Sequence, residues 1–148
     1  MALYSIAVAT FANSTVRPAN TVNAVATLLS TSTVVPVVFE IGTMLSAANA
    51  TNHGIGHPGA GTTLGNAANG QPEDMSQANS TIQVGTTWSS YPTAPSNFFR
   101  RAAFPAVRGA GIVYTFVRGI TLPVSNSLCI YNNNTASSNC DVWFCWDQ

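Results

Sequence analysis

The stretch that most constrains this chain is "DVWFCWDQ", Asp141 to Gln148. Side chains alternate across a strand, so Val142, Phe144 and Trp146 share one face while Trp143 and Cys145 share the other. Both faces are apolar. Such a strand needs cover on two sides, either at the centre of a packed sheet or between subunits.

The rest of the chain reads the same way. "LYSIAVATF" alternates along Leu3, Ser5, Ala7, Ala9 and Phe11 and runs into an Asn-Ser turn. "TVNAVATLL" fits a strand or one short helix, and its density of Thr and Val favours the strand. "TVVPVVFEIGTMLSAA" is the richest β segment, with Pro36 marking a strand start, bulge or edge. "STIQVGTTW", a Pro-rich bend "SSYPTAPSN", then "FFRRAAFPA", "GIVYTFVRGITLPV" and "SLCIYN" complete the set. About eight short strands with little helix predict a single all-β domain over 1–148. The expected fold is an antiparallel β-sandwich or jelly roll, with an open barrel as the alternative. Residues 1–20 are expected to form an N-terminal arm. Asn49 to Gln77, rich in Gly, Ala, Asn, Pro and Thr, is expected to be one long loop.

That loop carries two catalytic-looking patterns in "NHGIGHPGAG". Gly54, Gly56 and Gly59 satisfy G-x-G-x-x-G, but a dinucleotide cradle needs a preceding strand and a helix opening at the last glycine. Pro58 interrupts the motif, and no amphipathic period follows it. His53 and His57 stand four apart like helical metal ligands, yet Gly54, Gly56 and Pro58 oppose a helix. Glu73 or Asp74 is the third ligand such a site would call for; ordinary exposed loop histidines are the simpler reading. No G-x-S-x-G elbow is present, and Glu73 and Asp74 are adjacent rather than opposed across a cleft. The expectation is no enzyme, no cofactor and no metal.

Charge adds a second constraint. Only 7% of residues are charged, with five arginines, no lysine and five acids summing to zero, against about 25% charged in ordinary soluble domains. So few charges keep a lone molecule poorly dispersed, which implies a surface covered by copies of itself or by a partner. Four arginines (Arg100, Arg101, Arg108 and Arg118) fall within nineteen residues and read as structural or interface groups. Without a wider basic patch, nucleic-acid binding is disfavoured. The longest apolar runs are broken by Pro36 and Glu40, well short of the about 20 residues of a membrane helix. "MALYSIAVATFANS" lacks a basic region, so the chain is expected to stay in a cytosol, where its Asn-x-Ser/Thr sequons carry no meaning. Cys129 and Cys140 bracket "IYNNNTASSN", as residues facing across a hairpin would. The odd count of three cysteines favours buried free thiols.

Three phrases read together carry a resemblance: "FEIGTMLSAANATNHGIGHPGA", "QPEDMSQANSTIQVGTTWSSYPTAPSNFFRRAAFPAVRGAGIVYTFVRGITLPVSNSLCIYN" and "DVWFCWD". Over roughly Phe39 to Asp147 the chain resembles a group of small tailed-phage proteins, the auxiliary (cement or decoration) proteins of the capsid. His57 departs from that pattern, where Arg is expected. The resemblance implies a homotrimeric β-sandwich or jelly roll on the outer capsid surface. Assembled in the host cytoplasm, it would brace junctions between major capsid protein subunits.

On that reading Tyr91, Phe98, Arg100, Arg101, Arg108 and Arg118 are the expected partner contacts, since aromatic and Arg side chains dominate interface hot spots. The plainer reading of Phe98 and Phe99 is core. Two rivals remain at this stage. One is a tail- or fibre-associated β protein; the other is a carbohydrate-binding β-sandwich using Trp88, Tyr91, Trp143 and Trp146 as stacking platforms.

Overall fold

The computed structural model describes residues 2–10, 23–31, 33–58, 62–133 and 139–148. Alternation of Val, Ile, Leu and aromatic residues with small polar ones produces strands wherever a face is buried. They are β1 (Leu3–Thr10), β2 (Asn23–Leu29), β3 (Val37–Leu45), β4 (Thr51–Gly56), β5 (Thr63–Leu64), β6 (Ala68–Asn69) and β7 (Gln71–Pro72). Then come β8 (Gln83–Gly85), β9 (Trp88–Ser90), β10 (Arg100–Phe104), β11 (Gly111–Thr121), β12 (Ser127–Asn132) and β13 (Cys140–Asp147). No helix occurs among the described residues, so none is long and apolar enough to cross a membrane.

The strands form a five-stranded sheet, β11-β3-β13-β1-β7, a six-stranded sheet, β10-β4-β12-β2-β8-β6, and the small pair β5-β9. Every pairing is antiparallel. The two large sheets share one core. Tyr4, Val38, Ile41, Val142, Phe144 and Trp146 come from the first; Val25, Leu28, Ile55, Val84, Leu128 and Ile130 come from the second.

The closing strand β13 is central, between β3 and β1. Val142, Phe144 and Trp146 point into the core at 0% exposure, and Trp146 stacks on Tyr4. Trp143 and Cys145 on its other face are only half-covered. The sheet centre covers one face of this strand, and the other stays half-open.

Four expectations are corrected. Among the described residues thirteen strands replace about eight, because β5 to β9 are pieces of two or three residues. The N-terminal arm is not free over Leu3–Thr10, which pairs with β13 along its whole length; residues 11–20 lie outside the described residues. The long loop is not continuous either, since Thr51–Gly56 is a strand inside the six-stranded sheet, between β12 and β10. Nor do Cys129 and Cys140 face each other across a hairpin. They belong to strands of different sheets, and all three cysteines are thiols.

Candidate functional site

The glycine-rich motif is half of a packing joint. Along β4, Thr51, His53 and Ile55 point inward, while Gly54 and Gly56 point outward. A Cβ on Gly54 would meet the Phe98 ring at 2.7 Å, and one on Gly56 would meet Pro95 at 2.7 Å. The two glycines keep a strip of sheet flat so that the segment 86–99 can lie across it.

That segment covers a second, smaller core of Ala24, Cys129 and Tyr131, against which Trp88, Ala94 and Phe98 pack. Trp88 donates from Nε1 to Thr27 Oγ1 at 2.9 Å, and that hydroxyl also lies 3.1 Å from the Cys129 sulfur. Tyr91 donates its hydroxyl to the Ala24 carbonyl (3.1 Å), and Tyr131 donates to the Thr93 carbonyl (3.0 Å). Edge-on ring contacts join Trp88 to Tyr91 and Phe98 to Tyr131. Burial pushes the Cys129 thiol up to about 11 and raises the Tyr131 phenol, so neither is a nucleophile at neutral pH.

The two histidines are not exposed loop residues, as expected from sequence. His53 is 1% exposed between the sheets, with Nδ1 3.1 Å from Thr43 Oγ1 and its ring 5.0 Å from that of Phe104. Burial lowers its pKa to about 4, so it stays neutral. His57 is half-buried, donates from Nδ1 to the Ser127 carbonyl at 2.9 Å and meets Phe99 edge-on. His53 lies on β4, whereas His57 follows the strand's end at Gly56, so strand alternation does not hold the two side chains on one face. Among the described residues no group of three His, Cys, Asp or Glu could hold a metal ion.

The expected contact residues fall into separate places. Tyr91 and Phe98 belong to the covering segment and are engaged within the chain. Arg101 is exposed and lies over Phe98, its Cζ 5.6 Å from the ring centre. Arg100 lies over Phe116 at 5.7 Å, bridging towards β11 of the other sheet. Arg108 is exposed in the β10–β11 turn, and Arg118 is exposed on β11. Rather than one patch, they line the β10–β11 side of the molecule.

Two features escaped the sequence reading. One is the open outer face of the five-stranded sheet, where Leu3, Met44 and Val113 are 43%, 41% and 49% exposed. There Trp143 lies across Gly42, whose missing Cβ makes room for the ring, and donates from Nε1 to Glu40 Oε1 at 2.9 Å. The other is a cavity of about 630 Å³ at the β1–β7 edge, lined by Leu3, Tyr4, Val34, Glu73, Asp74 and Gln77 among others. Its only sequence signal is the adjacent acid pair, which carries no pattern until folding sets it beside Leu3. Comparison with protein-family models, curated proteins and solved structures finds no match to this chain.

Proposed function

We propose that the chain is a structural, non-catalytic virion protein: a capsid cement protein that docks on the outer surface of a phage capsid and braces junctions between major capsid subunits. The observation that carries this reading is the strand order. Setting aside β5 to β9, the long strands run β1-β13-β3-β11 in one sheet and β2-β12-β4-β10 in the other. Apart from the β4–β10 pair, successive long strands alternate between two four-stranded sheets, the path of two nested Greek keys, which we read as an eight-stranded jelly roll. This architecture recurs in viral capsid proteins, although fold alone does not fix function. The scarcity of charge supports a surface meant to be covered, and a homotrimer would add avidity by engaging three neighbouring sites.

Both histidines are engaged in packing and hydrogen bonds within the fold, which supports a non-catalytic role. The carbohydrate-binding rival finds less support. Trp146 is wholly buried, Trp88 meets Tyr91 edge-on, and Trp143 lies on the other sheet, so these rings form no shared platform.

The test is the protein composition of purified virions, by intact mass spectrometry with densitometry against the major shell protein. A copy number approaching that of the shell protein is expected. A handful of copies would move the chain to the tail, and absence from the particle would overturn the reading.

A further inference from the structure

The charges near one end of the five-stranded sheet lie on opposite edges. At that end the register aligns Thr121 with Val37, Val37 with Asp147 and Asp147 with Leu3, and the Glu73 N–H donates to the Leu3 carbonyl at 2.9 Å. These residues form one tier across the sheet. Arg118 stands near one edge of the tier, on β11, and Glu73 at the other, just after β7. Four strand spacings of about 4.8 Å separate these edges by roughly 19 Å.

The arginine edge is built as a knob. Between Thr115, paired with Glu40, and Ile120, paired with Val38, β11 carries four extra-register residues opposite Phe39 alone. The bulge turns at Gly119, whose φ of +68° suits glycine and where a Cβ would collide with Val37. It pushes Val117 out to 99% exposure beside the exposed Arg118. Arg100, over the Phe116 ring, adds a second positive group behind it.

The opposite edge is built as a socket. The 630 Å³ cavity presents apolar Leu3 and Val34 together with the Glu73 and Asp74 side chains. A hydrogen bond from the Ser76 N–H holds the Asp74 carboxyl below its ordinary range, so it is charged at neutral pH.

We propose that the partner of both edges is a second copy of this chain, docked head to tail. Val117 sets against Leu3 and Val34, and Arg118 faces Glu73 and Asp74. The arginine and acidic groups lie on opposite edges of the sheet, and their charge complementarity favours setting one edge of a copy against the other edge of the next. Joining unlike edges in this way makes a heterologous contact, which either closes into a ring or continues as a filament depending on the rotation between copies. The inference rests on the capsid reading only in identifying this contact as the one that holds the cement oligomer together.

Sedimentation velocity of the purified chain, at low and high salt, tests it without any capsid present. The wild type is expected to form an oligomer that weakens with salt. Arg118→Glu and Glu73→Arg should each cut association by about tenfold or more, and Arg118→Glu with Glu73→Arg in one chain should restore it. Val117→Ser, a milder change, should weaken it while leaving the charges in place. Far-UV circular dichroism verifies that each variant is folded. A monomeric wild type, an oligomer indifferent to either single reversal, or a folded double variant that stays monomeric would each overturn the inference. A monomer that still decorates shells at high copy number would sink this contact alone, whereas an oligomer absent from virions would sink the capsid reading alone.

Discussion

On the outer face of the six-stranded sheet, Gly54 and Gly56 leave a strip into which Phe98 and Pro95 settle, and the segment 86–99 seals Tyr131 beneath it. On the outer face of the five-stranded sheet, Gly42 leaves one gap, filled by Trp143 from the neighbouring strand, while Leu3, Met44 and Val113 stay open. Both faces use glycine to accept an aromatic ring. They differ in where the ring comes from. A ring carried by a separate segment brings backbone with it and makes a second core. A ring from the adjacent strand covers little beyond its own footprint and leaves the face available to another molecule.

Truncation at the covered face should give the largest effect. Tyr131→Ala empties the second core and leaves the Thr93 carbonyl without its donor. A loss of about 3–5 kcal/mol is expected, as for other large aromatic deletions, read as a lower urea midpoint. A loss below about 1 kcal/mol would mean that the covering segment is a loose drape and that the two faces are alike.

Between the faces, His53 reports on the shared interior. Its folded pKa of about 4 lies below the ordinary 6.5 because of burial, so the unfolded chain binds the extra proton between those values. Stability should therefore be fully present above about pH 6.5, fall as pH drops towards 4, and level off below that, by roughly 3 kcal/mol in all. Unfolding midpoints measured across this window should follow that slope, and His53→Gln should flatten it. A variant with an unchanged slope would place the titration elsewhere.

The smallest effect belongs to the open face. Trp143→Ala removes a half-covered ring and one hydrogen bond to Glu40, for an expected loss of about 1 kcal/mol in the isolated chain. A cost matching that of Tyr131→Ala would break the contrast between the faces.

Strands whose buried positions are aliphatic or aromatic were legible from sequence: Leu3–Thr10, Val37–Leu45, Ser127–Asn132 and Cys140–Asp147 all fall where alternation placed strands. β4 was not. Its inward positions are Thr51, His53 and Ile55, only one of them aliphatic, and its outward positions include Gly54 and Gly56. The glycines imitate loop composition because their partner, Phe98, lies more than forty residues along the chain. The same distance effect hid the site. Arg100 and Arg118 were legible as surface groups, but Glu73 and Asp74 acquire meaning only once β7 pairs with β1. The Val117 knob follows from a register shift that no single-segment periodicity encodes.

The position of the last two strands has a consequence in time. β12 lies between β4 and β2, and β13 lies between β3 and β1, so each is the keystone of its sheet. On a ribosome, neither sheet can close until these late strands have emerged. Until then, the early strands wait with unpaired edges. Such non-local pairings fold slowly and leave those edges open to wrong partners. Both sheets should therefore close only once β12 and β13 have emerged, after every other strand has been made.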